Sequence, residues 1–281
     1  MNLTPSAHVD TFTRDHLPPA ELLPTIELTL PALQEVGDTY NAASALLGGT
    51  IARHGEDRVA LRTPDGVAWT YGELDRTSDR VARVLVDDLG VVPGNRVLLR
   101  APNTPWTVAC WLGVLKAGGV AVTTFAALRA RELGPIVERT SPVVALVDHR
   151  FTADVTDLDV VGTGALRLVT VGADGPDDLV ARAAGKAEGF TSVATGADDV
   201  ALLCPTSGST GVPKITMHSH RDLLAIEATF GRHVLRLEPD DVVACTAPFA
   251  STSPPRSASG VSGSVDTRPS AAVTRNTRSR A

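Results

Sequence analysis

The sequence predicts an α/β fold with layered helices and a largely parallel sheet. Short apolar runs of strand length alternate with longer segments whose apolar residues recur at helical spacing. Glycine and proline turns separate these segments, as at 93–94 and 118–119. A hydrophobic content of 43% in 281 residues is enough for a sizeable core. Strands and helices that alternate in this way are typical of parallel α/β layers.

The first predicted elements follow a proline-rich start. Residues 1–40 lack sustained periodicity, and we expect an extended arm that lies on the domain. His8 and His16 fall in this arm without other metal-binding residues nearby, so solvated side chains are favoured over a metal site. From residue 41 the apolar pattern becomes regular. It predicts helices over 40–53, 69–86, 106–117, 131–139 and 177–184, and strands over 59–62, 97–99, 120–123, 142–148 and 166–171.

One long apolar stretch, 106–128, resembles a membrane span because Lys116 is its only charge. Thr104 and Pro105 provide a helix cap and a first helical residue, and Gly118-Gly119 ends the helix. The residues after the glycines are β-branched and of strand length. We therefore expect a buried helix and strand here.

Composition limits the class of function. The formal net charge of −6 argues against a nucleic-acid partner held by general electrostatics. Cys110, Cys204 and Cys245 lie far apart without metal or redox spacing, which favours a reducing compartment. The first residues lack a basic and then apolar run, so no secretory signal is expected. A cytoplasmic location is the simplest expectation.

The segment richest in chemical groups is the loop at 204–214. A predicted buried strand over 200–203 precedes it, and an alternating strand over 215–218 follows it. Glycines let the backbone approach a ligand, hydroxyls and inward N–H groups bind anions, and a lysine adds a full positive charge. This combination suits a polyphosphate. The candidate nucleotide-binding residues are Thr206, Ser207, Gly208, Ser209, Thr210, Gly211, Pro213 and Lys214.

A Walker loop is the obvious comparison, and this segment does not fit it. Pro213 directly precedes Lys214, and strand periodicity follows where a Walker loop needs a helix. A serine- and glycine-rich hairpin turn with a surface lysine is the plain alternative. The run T-S-G-S-T-G-V-P-K at 206–214 instead resembles the phosphate loop of the adenylate-forming superfamily, commonly written [ST]-S-G-[TS]-T-G-x-P-K. That superfamily includes acyl- and aryl-CoA synthetases, luciferases and the adenylation domains of peptide synthetases.

Further segments carry the same resemblance over residues 41–250. T-Y-G-E-L at 70–74 and L-K-A-G-G-V-A-V at 115–122 are similar to earlier superfamily motifs. Thr123, Thr124 and Phe125 stand where the family usually has a proline-bearing loop, so the loop after that strand is expected to differ. The arm over 7–19 resembles that of aminobenzoate-CoA ligases. The resemblance implies the first part of the large N-terminal domain of an adenylate-forming enzyme.

After the loop, Ser219 and Asp222 form the pattern of a capping box, and a helix is predicted over 223–234. His218 and His220 match a familiar rendering of the family's H-x-H, but neither has a visible catalytic partner. We interpret both as structural, with lining of the nucleotide pocket as the alternative. The paired aspartates before the loop, 198–199, are expected to be solvated rather than to bind metal.

The resemblance implies ATP, magnesium and CoA as cofactors. Residues 206–210 would wrap the β- and γ-phosphates, and Lys214 would neutralise charge as pyrophosphate leaves. The family's magnesium-binding acid, ribose aspartate, hinge and C-terminal catalytic lysine have no match in these 281 residues, so no catalytic residue and no metal ligand is identified.

The tail over 251–281 is crowded with Ser, Thr, Pro and Arg and has almost no large apolar residue. It cannot bury enough surface to offset its ordering entropy, so we expect disorder. Its onset inside the family domain suggests an altered reading frame or a truncated gene product. A genuine Arg/Ser-rich regulatory tail is the alternative.

Three functions are compatible with these features to different degrees. The first is carboxylate activation by ATP followed by thioester formation with CoA, acting on a small, preferably aromatic acid, with the present chain inactive alone. The second is a non-catalytic nucleotide-binding fragment or interaction module. The third, a P-loop NTPase, is disfavoured by Pro213 and the following strand. The sequence leaves the oligomeric state open.

Overall fold

The structure is a computed structural model. It describes residues 3–23, 25–206, 213–244, 248 and 249, and the backbone of two short strands at 263–264 and 273–274.

The strands form two sheets. In chain order they are β1 (Val59–Arg62), β2 (Ala68–Thr70), β3 (Arg96–Arg100), β4 (Val120–Thr124), β5 (Val144–Asp148), β6 (Arg167–Val171), β7 (Val200–Thr206), β8 (Lys214–Ser219), β9 (Val242–Ala244), β10 (Gly263–Ser264) and β11 (Val273–Thr274).

Helices separate most of these strands. They are α1 (Phe12–Asp15), α2 (Pro31–Gln34), α3 (Ala42–His54), α4 (Tyr71–Arg83), α5 (Pro105–Lys116), α6 (Ala130–Thr140), α7 (Ala153–Thr156), α8 (Asp159–Gly162), α9 (Leu179–Ala184) and α10 (His220–Ile226), with 3-10 turns at Ala20–Leu22 and His149–Phe151 and π-helical segments at Val84–Asp88 and Glu227–Leu235.

The larger sheet has the strand order β6-β5-β3-β4-β7-β8. Every neighbouring pair is parallel except β7 and β8, which form an antiparallel hairpin. The predicted α/β class with a largely parallel sheet is therefore confirmed. In this order the carboxyl ends of β3, β4, β5 and β7 meet at one edge, where ligands of open α/β sheets commonly bind.

Two hydrophobic layers cover the larger sheet. Helices α3, α4, α5 and α9 pack on one face, where Val97 and Leu99 of β3 point. Helices α6 and α7 pack on the other face, together with Leu98. All five residues of β3, β4 and β5 are buried, as expected for parallel strands covered on both sides.

The stretch at 106–128 forms the buried helix and strand that the sequence predicts. Thr104 caps α5, its side chain accepting from Thr107 N, and Pro105 occupies the first turn. Gly118 adopts φ +71°, a left-handed conformation that suits glycine at the helix end. Within the described residues, no helix is both long and apolar enough to cross a membrane.

Two local predictions differ from the structure. Trp69 and Thr70 belong to β2, and the helix that the sequence places from residue 69 begins at Tyr71, because Thr70 is its cap in a capping box with Glu73. The helix predicted over 223–234 begins earlier, at His220, and changes to π-helical geometry at Glu227.

The smaller sheet has the strand order β11-β9-β10-β1-β2. The hairpin of β1 and β2 lies at one end of it, and β10 pairs with both β1 and β9 through its two residues.

The division into an arm over 1–40, a domain over 41–250 and a tail over 251–281 stays a prediction. Within the arm, the structure has the short helices α1 and α2.

Candidate nucleotide-binding site

The β7–β8 hairpin positions the predicted phosphate loop. β7 runs parallel to β4 and ends at Thr206, and β8 begins at Lys214 and returns antiparallel to it. Thr206 and Lys214 are register partners, and the Thr206 hydroxyl donates to the Lys214 carbonyl over 3.3 Å. The hairpin therefore brings both ends of the loop together at the carboxyl edge of the sheet.

The structure describes three of the predicted nucleotide-binding residues. Thr206 is half-buried, Pro213 is half-buried and Lys214 is exposed. The other five, which are Ser207, Gly208, Ser209, Thr210 and Gly211, lie outside the described residues. The role of the loop in binding phosphate remains a prediction.

A buried arginine organises the same edge. Arg100, the last residue of β3, is fully buried, and its guanidinium donates to the carbonyls of Phe125, Leu128 and Phe151 and to a carboxylate oxygen of Asp154. Burial lowers the pKa of Arg100, and Asp154 opposes that shift. The arginine thus ties together the loops that follow β4 and β5, and β4 is the neighbour of β7, which leads into the phosphate loop.

The two predicted structural histidines occupy different places. His218 is half-buried in β8, with Nε2 3.3 Å from the Thr216 hydroxyl. His220 is fully buried at the start of α10, and its Nδ1 accepts from the backbone N–H of Ala42 over 3.1 Å. Burial and the nearby His8 lower the pKa of His220 to about 3, with Asp199 opposing. His220 is thus a neutral packing residue that joins the hairpin to the first turn of α3.

The aspartates before the loop are not solvated, and this corrects the sequence interpretation. Asp199 is only 5% exposed and its carboxylate accepts from the N–H groups of Ala7 and Gly196. Asp198 accepts from Thr4 N and lies 3.5 Å from an Arg221 guanidinium nitrogen. The sequence could not indicate this because Thr4 and Ala7, which donate to the two carboxylates, lie 194 and 192 residues away. His8 is buried for the same reason, against the prediction that it is solvated.

A small cavity of about 130 Å³ opens on the α5 face of the carboxyl edge. It is mainly apolar, and Asp148, whose carboxylate pairs with Arg150, is among its lining residues. Its lining comprises Leu99, Ala101, Thr104, Trp106, Thr107, Cys110, Leu146, Asp148, His149, Val171 and Gly172.

A larger crevice of about 780 Å³ lies between α3, β1 and the segment around β9. Its walls mix charges of both signs, including Arg58, which pairs with Asp240, and Arg232, which pairs with Glu227. Among the residues that the structure describes, no group of three His, Cys, Asp or Glu side chains could hold a metal ion.

Sequence reasoning missed the two buried arginines of β3. Arg96 and Arg100 flank the apolar run at 97–99, and a charged flank ordinarily marks the end of a buried strand. Their acceptors, such as the Thr140 carbonyl for Arg96, come from loops distant in sequence. The only local sign in the sequence is that an arginine stands at each end of a strand that is central in a parallel sheet.

Comparison with known proteins places the fold and the loop in one family. The model of the family described as AMP-binding enzyme matches residues 49–253, which include the whole candidate loop. A benzoate–CoA ligase of Thauera aromatica is 29% identical over 215 residues, covering 76% of this chain and 40% of the relative. A salicyl-AMP ligase / salicyl-S-ArCP synthetase of Mycobacterium tuberculosis is 34% identical over 222 residues, covering 73% of this chain and 39% of the relative.

Solved structures show the same architecture. The ATP-bound MatB of Rhodopseudomonas palustris has a TM-score of 0.69 and 28% identity, over 80% of this chain and 45% of that chain. An anthranilate CoA ligase, AuaEII, in complex with anthranoyl-AMP has a TM-score of 0.71 and 23% identity, over 78% of this chain and 41% of that chain. The present chain thus spans about two fifths of the length of the relatives it matches. The fold and the family match agree with the predicted resemblance, and this chain belongs to the family of AMP-binding enzymes.

Proposed function

We propose that this chain is the phosphate-binding part of an ATP-dependent acid–CoA ligase that activates a small aromatic carboxylic acid. The observation that carries the proposal is the placement of the T-S-G-S-T-G-V-P-K segment between β7 and β8, inside the matched range 49–253. β7 ends and β8 begins at the sheet edge where open α/β sheets bind ligands. The acid is inferred from relatives named for benzoate and salicylate.

In this proposal, hydroxyl and backbone N–H groups of the loop bind the phosphates, and one lysine supplies positive charge. Thr206 and the hydroxyls at 207–210 would donate to phosphate oxygens, as would backbone N–H groups freed by the two glycines. Lys214 is exposed at the start of β8, and no ion pair of it is present among the described residues. Its charge would stabilise the pyrophosphate that leaves when the carboxylate attacks the α-phosphate.

We propose CoA and magnesium as cofactors only for a longer protein of this family, and not for these 281 residues by themselves. The described part of the chain holds no group of acidic and imidazole side chains suited to a metal. We propose that these 281 residues do not complete the ligation alone, since adenylation needs several groups preorganised around an in-line attack. The sequence of 251–281 is rich in Ser, Thr, Pro and Arg and carries none of the later family motifs, so the remaining groups are sought elsewhere.

The alternative is a fragment that binds a nucleotide without chemistry, or an interaction module. It would keep the hairpin and its loop. The crevice between α3 and β9 mixes positive and negative side chains, as an interaction surface could. Exchange of labelled pyrophosphate into ATP distinguishes the two, because binding alone cannot produce exchange.

The experiment compares two proteins. One is the 281-residue chain, and the other joins residues 1–250 to the second half of a related aryl-CoA ligase. Pyrophosphate exchange and thioester formation are measured over a panel of benzoates and short fatty acids. We expect activity only in the joined protein, and with benzoates. Ligation by the 281-residue chain would overturn its proposed inactivity, and absence of exchange in a folded joined protein that still binds ATP would favour the non-catalytic alternative.

A further inference from the structure

The first residues of the chain are fastened to the base of the β7–β8 hairpin. We call residues 3–16 the arm segment. Its backbone N–H groups at Thr4 and Ala7 donate to Asp198 and Asp199, each over 2.9 Å. The Asp198 N–H returns a hydrogen bond to the Thr4 hydroxyl over 3.1 Å. The arm segment therefore donates hydrogen bonds to both carboxylates that directly precede β7.

The second half of the arm segment is held at the amino end of β3. Asp10 forms an ion pair with the buried Arg96 and accepts from Asn95 over 2.8 Å. The Arg96 guanidinium also lies over the ring of Phe12, 4.2 Å from its centroid. Burial disfavours the ionised Asp10, but hydrogen bonds from Phe12 N–H, Arg96 and Asn95 bring the net pKa of Asp10 below its usual value.

Two buried imidazoles lie between these attachments. His8 of the arm segment is 9% exposed and His220 is fully buried. His220 Nδ1 accepts from Ala42 N, so its neutral ring carries the proton on Nε2. The Nε2 atoms of His8 and His220 both lack a hydrogen-bond partner in the described structure. An additional proton on either ring would therefore create a buried charge without a direct partner at Nε2.

His220 and Asp199 close the base of the hairpin. Asp199 directly precedes β7 and His220 directly follows β8. The His220 N–H donates to the Asp199 carbonyl over 3.0 Å. The arm segment covers this closure, since Ala7 binds the Asp199 carboxylate and His8 influences the charge of His220.

Several charged groups face the two histidine rings. His8 faces Asp199 and Asp10, which favour its protonation, and Arg14 and Arg96, which oppose it. His220 faces Asp199 and His8. Of the helical segments packed on α10, α2 has no charged residue and α3 has its basic residues only in the last turn, far from Ala42. The π-helical segment that continues α10 carries Glu227, which pairs with Arg232. The carboxylate of Asp199 already accepts from Ser6, Ala7 and Gly196, which limits what it can offer a protonated ring.

We propose that the arm segment is a pH-released strap: protonation of His8 and His220 below about pH 6.5 detaches residues 3–16 and loosens the base of the β7–β8 hairpin. The strap is closed when both rings are neutral. Because the hairpin carries the candidate phosphate loop at its other end, release changes how firmly that loop is held. The proposal does not depend on which ligand the loop binds.

The direction of the pH effect follows from proton linkage. Burial lowers the pKa of His8 in the closed strap, and it lowers that of His220 to about 3, against about 6.5 for an exposed histidine. The open strap therefore binds more protons, and closing is favoured fully above pH 6.5 and progressively lost below it. Between pH 7.5 and 5.5 the closing equilibrium should fall about tenfold for one histidine and by more when both are exposed. Asp10, whose pKa is lowered, stays ionised in this window, so its ion pair with Arg96 is not the cause.

Hydrogen exchange measured by mass spectrometry tests the strap in the full chain. The N–H groups of Thr4, Ala7, Val9 and Asp10 are all hydrogen-bonded in the closed arm, the last two to the Pro93 carbonyl over 2.9 and 3.0 Å. After correction for intrinsic exchange, the protection of arm peptides should fall about tenfold or more from pH 7.5 to 5.5. Protection of peptides from β4 should not change, and that of peptides spanning β8 should fall with the arm.

Three variants test whether the pH dependence of arm protection comes from His8 and His220 or from a general sensitivity of the protein to acid. His220→Asn keeps a side-chain acceptor for Ala42 N without a titrating ring, and His8→Asn removes the ring from the arm segment. Each should flatten the pH dependence of arm protection, whatever its level at pH 7.5. His16→Asn, which alters an exposed histidine of the same arm, should keep the wild-type dependence. Equal arm protection at both pH values in the wild type, or a wild-type dependence in both His220→Asn and His8→Asn, would overturn the strap.

Discussion

The Lys116 ammonium lies 2.6 Å from a carboxylate oxygen of Asp79, in the contact between α5 and α4. Both side chains are buried, at 3% and 9% exposure. The ammonium also contacts Asp75 over 2.7 Å, and the second Asp79 oxygen accepts from Gly189 N. The single charge of the apolar stretch 106–128 thus joins two helices and a loop rather than facing solvent.

Removal of this ammonium should destabilise the domain strongly. In Lys116→Met the Asp79 carboxylate stays buried and loses its charged partner, so the free energy of unfolding should fall by about 3–5 kcal/mol. Chemical denaturation followed by circular dichroism measures the change. The control is Arg76→Met, which breaks the exposed pair of Arg76 with Glu56 and should cost less than about 1 kcal/mol. Similar small losses in both variants would mean that the buried pair contributes no more than a surface pair.

The same helix contact requires glycine at position 113. A Cβ on Gly113 would lie 2.7 Å from Val81 Cγ1 and 3.0 Å from the Ser78 carbonyl oxygen, so α4 and α5 would have to separate. We expect Gly113→Ala to lower the free energy of unfolding by about 1–3 kcal/mol. Gly48→Ala is the matched control, because Gly48 is also helical but has no atom within 4 Å of the added Cβ.

Gly48→Ala should be neutral or stabilising by up to about 1 kcal/mol, since alanine has the higher helix propensity. Thermal unfolding of the two variants beside the parent gives both values. A neutral Gly113→Ala would show that the helices shift apart without cost, and the close contact would then not explain the glycine.

Local signals in the sequence account for most of the larger sheet. The apolar run at 120–123 and the glycine pair before it predict β4, and the Thr104–Pro105 start predicts α5. These signals need only neighbouring residues. The same is true of the hairpin, since the strand pattern on both sides of the loop predicts β7 and β8.

What the sequence could not reveal depends on partners far along the chain. Arg100 is buried because three carbonyls from two distant loops surround its guanidinium. His8 and Asp199 are buried because the arm returns to the start of β7, 192 residues away at Ala7. In the candidate site, the strand pattern predicts the hairpin, but it places Thr206 and Lys214 in the loop, whereas the strands extend to both residues and pair them. The conformation of a glycine-rich loop depends on its ligand and surroundings.

The loop glycines should affect binding more than stability. Gly211→Val adds a branched side chain where we expect the backbone to approach phosphate, so ATP affinity should fall at least about tenfold while the melting temperature changes by only a few degrees. Isothermal titration and thermal unfolding are compared on the same preparation. Val212→Ala, a change at the neighbouring unconstrained position of the motif, is the control and should retain affinity. A parallel loss of affinity and melting temperature in Gly211→Val would make the glycine an architectural residue.

Lys214 offers the most direct test of the nucleotide site. It is the exposed first residue of β8, and its backbone carbonyl already pairs with Thr206, so truncation of the side chain leaves the hairpin contact intact. A charge-assisted hydrogen bond to phosphate contributes about 1.5–3 kcal/mol, so Lys214→Ala should weaken ATP binding, or turnover in the joined enzyme, by about ten- to a hundredfold. Lys186→Ala is the control, because Lys186 pairs with Asp87 and Asp88 away from the loop and should leave ATP binding unchanged. Lys214→Arg keeps the charge but changes the donor geometry, and it should recover part of the affinity. If Lys214→Ala binds ATP as the parent does while remaining folded, the lysine is a surface residue of the hairpin and the phosphate site must be held by the hydroxyl and N–H groups alone.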